Sequence, residues 1–137
     1  MKETPAGKLG EDLAVSFLLE KGFAIAERNW RSGRNGEIDI IAYDGKVLVF
    51  IEVKTRLSER FGRPSLAVTP AKQLQIARIA QRYLFRQGLY GRVDCRFDVV
   101  TVRLDGSRRM VEHIADAFRI NPRKNGTDHG GGGIAGL

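Results

Sequence analysis

At 137 residues, with 42% hydrophobic and 28% charged side chains, the chain suits one soluble globular domain with a single hydrophobic core. No apolar stretch approaches the roughly 20 residues a bilayer span needs, and one cysteine excludes an intramolecular disulfide. Lys and Arg outnumber Asp and Glu 23 to 16, a net charge of +7, which turns attention to anionic partners. The N-terminus lacks the apolar run of a signal peptide, so a soluble cytoplasmic protein is the expectation.

Residues 1–6 read as a loose lead-in. Residues 10–21 predict an amphipathic helix, with Leu13, Ala14, Phe17 and Leu18 on its inner side and Gly22 as its stop. Glu11 shares the stripe of Ala14 and Leu18, which turns it inward near the helix start. An acid there also suits the positive end of the helix dipole, so the position alone does not assign a role. Residues 23–30 predict a strand, with Trp30 capping the core edge or free to stack on a base. A polar turn follows at residues 31–36, where Arg31 and Arg34 can reach phosphate or simply face solvent.

Residues 36–56, GEIDIIAYDGKVLVFIEVKTR, predict a β-hairpin turning at Asp44-Gly45. That turn sets Tyr43 opposite Lys46, Asp39 opposite Phe50 and Glu37 opposite Glu52. Alternation places Asp39, Glu52 and Lys54 on one face and Ile38, Ile40, Val49, Ile51 and Val53 on the other. Asp39 and Glu52 become diagonal neighbours, roughly 7–8 Å apart, close enough to share a hard divalent cation. Alternating polar residues also describe an ordinary solvated face. The continuous apolar run over residues 47–51 instead reads as a strand covered on both faces. A carboxylate at its end needs a charge partner or a metal. A Glu52–Lys54 ion pair would suffice without catalysis, so Asp39 is the discriminating residue. Glu37 is a solvated edge residue or a further ligand.

Residues 55–69 have no periodicity, and a segment of that length inside a domain is usually functional or disordered. It carries Arg56, Arg60 and Arg63 directly after the acidic strand, as a segment closing on nucleic acid would. Thr69 and Pro70 open a helix that ends at Gly88, with Ile76, Ala80, Tyr83 and Leu84 as its core stripe. Arg78, Arg82 and Arg86 recur along another face as a basic ridge. Lys72 and Gln73 fall near the candidate site. Residues 54–92 hold nine Lys and Arg against one acid, so this segment is +8 and the remainder of the chain −1. The expected partner is nucleic acid, DNA foremost, rather than a membrane surface.

Residues 93–104 and 108–114 predict two more strands joined at Asp105-Gly106, with Asp98 ion-paired to an arginine and Cys95 a small core residue. His113 and His129 stand alone, without zinc spacing. A short element over residues 116–120 completes a domain of residues 1–120, and residues 121–137 read as a flexible Gly-rich tail. The order α-β-β-β-α-β-β predicts an α/β protein with a mixed central sheet flanked by helices.

Asp39 followed by Glu52-Val53-Lys54 resembles the PD-(D/E)xK signature of restriction-endonuclease-like nucleases, although Ile38 stands where that signature has proline. Gly10-Glu11 together with GEIDII and FIEVKTR resembles the YraN-like family of bacterial proteins, which is similar in turn to archaeal Holliday-junction resolvases. The resemblance covers roughly residues 7–120. It implies a restriction-endonuclease-like αβββαβ core with one appended strand, and a nuclease active on branched or structured DNA. It also implies Mg²⁺ or Mn²⁺ held by Asp39, Glu52, Glu11 and the Val53 carbonyl, Lys54 as a catalytic residue, and a homodimer. Two alternatives stay open: a non-catalytic nucleic-acid-binding module on the same fold, and a basic face that docks an acidic protein.

Overall fold

The computed structural model describes residues 4–57 and 68–119. Its elements, in chain order, are α1 (Pro5–Glu20), β1 (Ala24–Arg31), β2 (Glu37–Asp44), β3 (Val47–Arg56), α2 (Pro70–Gln87), β4 (Cys95–Asp105) and β5 (Arg108–Phe118). The five strands form one sheet in the order β1-β2-β3-β4-β5. Only β3 and β4 run parallel, and α2 lies in the crossover that a parallel pair requires. The helices cover opposite faces. Ile76, Ile79, Ala80, Tyr83 and Leu84 of α2 cluster with Ile41, Leu48, Phe50 and Phe97. Ala14 and Leu18 of α1 cluster with Ile40, Ala42, Val49, Ile51 and Val100. Strand β3 thus feeds both clusters through alternate residues, which is why its sequence is apolar without a break. The architecture is a mixed α/β sheet with a restriction-endonuclease-like core, β5 being the appended strand.

Helix α1 starts at Pro5 rather than Gly10. The Thr4 hydroxyl caps it by accepting the Gly7 N–H at 2.9 Å, the same Thr-Pro device by which Thr69 caps α2. Glu11 therefore lies beyond the first turn, which holds no acid, and the dipole has little hold on it there.

Both hairpins turn one residue later than expected. Asp44 pairs with Val47 around Gly45-Lys46, and Asp105 pairs with Arg108 around Gly106-Ser107. Each glycine takes the first loop position with φ near 61°, a left-handed conformation suited to a primed hairpin turn. Asp44 stays in the strand, ion-paired to Arg96 at 3.0 Å. Phe50 consequently faces Ile41, not Asp39, and Glu37 pairs with Arg31 of β1, not with Glu52. Continued in this register, the ladder would set Asp39 directly against Glu52.

Simple alternation fails at one place. Ile40 packs with the α1 cluster but Ile38 packs with the α2 cluster, although both were expected on one face. In β1, Arg28, the partner of Ile40, reaches Asp12 of α1 at 2.7 Å, whereas Trp30, the partner of Ile38, meets the Tyr83 ring of α2. Between them lie Asn29, with φ of 51°, and Asp39. A left-handed residue inside a strand breaks the pleat, and Asn is among the few that adopt it readily.

Strand β5 is continuous to Phe118, so among the described residues no separate element follows Asp116. That residue, at φ 53°, forms an irregularity in the ladder opposite Asp98. Asp98 is 0% exposed and takes bonds from Arg96 Nε (2.9 Å), the Asp116 N–H (2.8 Å) and His113 Nε2 (2.8 Å). The expected arginine partner is Arg96. His113 does not stand alone: its Nδ1 lies 2.8 Å from Lys21 Nζ. An ammonium can only donate, so Nδ1 accepts and Nε2–H faces Asp98. Burial alone would push the Asp98 carboxyl up, but His113, Arg96 and the Asp116 N–H together hold it below its ordinary value. Asp98→Ala should destabilise the fold by about 3–5 kcal/mol, as removal of one partner from a buried ion pair does. Because the native pKa is lowered, this stabilisation is full above pH about 4 and disappears as pH falls through the native value. Thermal melts of wild type and variant should therefore converge in acid.

Candidate metal centre

The centre arises where the sheet forks. The β2–β3 ladder ends at Ile40–Ile51, while β1–β2 pairing continues to Arg31–Glu37 and β3–β4 pairing to Arg56–Arg103. Beyond the fork, the Val53 N–H donates to Asp39 Oδ2 at 2.8 Å instead of to a strand carbonyl. The N–H and C=O of a strand residue point to the same side, so the Val53 carbonyl also faces the acidic corner.

Other elements deliver further groups. Helix α1 brings Glu11, and it can approach because Gly10 has no side chain: a Cβ there would overlap the Thr55 side chain of β3. Asn29 of β1 donates its amide to Glu11 Oε1 at 3.1 Å and to Glu37 Oε2 at 2.9 Å. Arg31 pairs with Glu37 at 3.1 Å. Lys72, in the first turn of α2, comes within 3.9 Å of Glu52. One oxygen each from Glu11, Glu37 and Asp39 lie within 4.8 Å of one another. The corner opens into a cleft of about 800 Å³ lined by Glu11, Asn29, Glu37, Asp39, Lys72 and Gln75. A second, of about 420 Å³, is bordered by Glu11, Asp39, Glu52 and Val53.

Burial and crowding act on the charges here. Burial, then the nearby carboxylates of Glu52, Glu11 and Glu37, push Asp39 up to about 8, opposed by the Val53 N–H. Burial also raises Glu52, opposed by Lys72, Lys54 and a hydrogen bond with Asp39. Burial and neighbouring Arg56 lower Lys54. Glu11, Glu37, Asp39 and Glu52 form one cluster of carboxylates at this corner. Its donors are all oxygen, a set that fits hard divalent ions such as Mg²⁺ or Mn²⁺.

Asp39, Glu52, Glu11, Val53 and Lys54 thus meet at or beside one corner, and Lys72 joins them. Gln73 does not: its amide turns to the Val68 carbonyl at 2.7 Å. Arg56 continues along β3, while Arg78, Arg82 and Arg86 are exposed farther along α2. Arg60 and Arg63 lie outside the described residues. Asn29 and Arg31 are the partners that sequence reasoning missed for this corner. The available signal for Asn29 was a left-handed-prone residue inside a strand.

A family profile described as "Uncharacterised protein family UPF0102" matches residues 10–102, a span that includes Glu11, the forked hairpin and all of α2. The chain belongs to the UPF0102 family. It is 48% identical over 114 residues to a UPF0102 protein of Syntrophus aciditrophicus, covering 83% of this chain and 88% of that one. It is 47% identical over 115 residues to a relative in Geobacter sulfurreducens, with coverage of 83% and 88%. A Chlorobium chlorochromatii UPF0102 protein is 48% identical over 120 residues, covering 83% and 91%. No helix among the described residues is long and apolar enough to cross a membrane.

The raised pKa of Asp39 has a definite consequence for this UPF0102 chain. Between pH about 4 and about 8 the folded state binds more protons there than the unfolded state, so stability falls as pH rises through that window. Asp39→Asn removes the penalty. In chelator at pH 8 or above, the variant should melt higher than wild type, by about 4 °C for each 1 kcal/mol of repulsion relieved. At pH 5 the difference should shrink.

Proposed function

We propose that this UPF0102 protein is a metal-dependent endonuclease that hydrolyses DNA phosphodiesters at branched or otherwise structured sites. The observation that carries the proposal is the meeting of Glu11, Glu37, Asp39 and Glu52 in a sheet fork bordered by Lys72 of the basic helix α2. Four acids from three elements gather here, in a chain that is otherwise basic.

The four carboxylates, with the Val53 carbonyl, would hold Mg²⁺ or Mn²⁺. When bound, such an ion makes water a nucleophile near neutral pH and offsets charge that develops on a phosphate. Asp39 gives up its proton to receive the ion, which makes affinity rise with pH towards about 8. Lys54 and Lys72 cannot ligate a cation. Their ammonium groups are suited to the phosphoryl oxygens, whose negative charge grows in the transition state. Asn29 keeps Glu11 and Glu37 aimed into the fork. A pair of cuts across a junction needs two such sites, so a homodimer belongs to the proposal.

Titration calorimetry with Mn²⁺ should give saturable binding to wild type, with proton release below pH 8, and little binding to Asp39→Asn or Glu52→Gln. On labelled branched DNA, Asp39→Asn should lose cleavage by at least 100-fold, the order of loss when a group acting on transition-state charge is removed, while still binding the substrate. Cleavage by Asp39→Asn at the wild-type rate would refute the site. Salt-sensitive DNA binding without divalent-dependent cleavage by wild type would favour a non-catalytic binding module.

A further inference from the structure

Helix α2 leads away from the acidic corner and ends in an aromatic tip that the metal chemistry does not use. Gly88, at φ 69°, closes the helix, with Leu89 N–H bonded to the Leu84 carbonyl at 2.8 Å and Gly88 N–H to the Phe85 carbonyl at 3.2 Å. This closure turns the chain back on itself and lays the Tyr90 ring flat against Phe85, at a centroid distance of 4.4 Å and an interplanar angle of 11°. Tyr90 is half-buried against the core, whereas Phe85 is 64% exposed. An aromatic face held rigid from behind and open in front is the geometry of a stacking platform.

Its surroundings select the occupant. Helix α2 holds Lys72, Arg78, Arg82 and Arg86 and no acid. Arg78 and Arg82 lie seven and three residues before Phe85, on its side of the helix, and both are exposed. Arg86 is next in sequence, with its guanidinium 5.6 Å from the centre of the Trp30 ring. A second copy of the same tip would set arginine against arginine. A polyanion that also carries flat apolar rings matches both features.

We propose that Phe85, backed by Tyr90, stacks on an unpaired base of the bound nucleic acid, with Arg82 and Arg86 holding the adjacent phosphates. This rests on the nucleic-acid reading above and narrows its substrate class to nucleic acids with a single-stranded or unpaired segment. At 1.5 Å per residue, Phe85 lies about 20 Å along the helix from Lys72, or about six nucleotides at duplex rise. The unpaired segment would therefore sit to one side of the cleavage point.

The test is fluorescence anisotropy with the full chain in EDTA, using a labelled thymidine single strand and a blunt, fully paired duplex across a range of salt. Phe85→Ala and Phe85→Leu should weaken single-strand binding about 5- to 150-fold. Phe85→Trp should retain it, and duplex affinity should change less than twofold. The salt slope should stay at the wild-type value in Phe85→Ala but fall in Arg82→Gln, which loses a phosphate contact. Unchanged single-strand affinity in Phe85→Ala, or an equal loss on both probes, would overturn the stacking site. So would a change in sedimentation mass, which would make the tip a self-association surface. Any of these leaves the nuclease proposal standing if wild type still cuts branched DNA. Wild type that binds neither probe at low salt would overturn the stacking site, and failure also to cut branched DNA would overturn both.

Discussion

The molecule depends on the parting of two strands. Between Ile40–Ile51 and the end of β3, β2 and β3 cease to pair, and backbone groups that lose a ladder partner must find another. The Asp39 carboxylate supplies one by taking the Val53 N–H. The exchange opens the sheet without orphaning that donor and brings a carboxylate almost to the level of the strands. Everything else at the corner accommodates the opening. Asn29 leaves the pleat beside it, Gly10 lets α1 reach β3 over it, and the β3–α2 crossover returns the first turn of α2 to it. None of these features has an evident purpose in a regular five-stranded sheet.

The distribution of charge follows the same plan. The acids that converge come from α1 and from the adjoining strands β2 and β3, and folding brings the two groups together. The bases are local: they follow β3 and continue along α2. A polyanion drawn to the basic helix would meet the acidic corner only where its own negative charge is relieved, and Lys72 stands at that boundary, 3.9 Å from Glu52.

Much of this was legible in the sequence because local signals agreed with the tertiary outcome. Element order, the Thr69-Pro70 start of α2, its buried stripe and its exposed arginines all emerged as read. The start of α1 was missed although Thr4-Pro5 carries the same signal. The apolar stripe, which begins later, was allowed to outweigh the cap. The hairpin register slipped because Asp-Gly was read as the pair of loop residues, when only the glycine needed the left-handed conformation and Arg96, distant in sequence, kept Asp44 in the strand. The convergence of Asp39 and Glu52 does not depend on the register, since their side chains hydrogen-bond where the ladder has already ended. Glu37 was legible as a candidate ligand from the period of two, but Asn29 was not, because the face switch at Asn29 breaks the period where the site forms. His113 showed no motif, since its partners Asp98 and Lys21 are joined to it only by the sheet and the end of α1.

Two aspartates on this sheet show how surroundings divide structure from chemistry. Asp98 and Asp39 both lose solvent, and burial pushes both towards the neutral acid. Around Asp98 the fold sets a guanidinium, an imidazole N–H and a backbone N–H, and the carboxylate stays ionised. Around Asp39 it sets one backbone N–H and three further carboxylates, and the proton stays on. A chain able to neutralise one buried acid so fully is not short of means to neutralise another, since Lys46 or any arginine of α2 is equivalent chemistry. The difference is one of arrangement. Asp98 closes its network from within the chain, and it ties β4 to β5 and to the end of α1. Asp39 instead sits with Glu11 and Glu37 in a group of hard oxygen donors that could hold a metal ion.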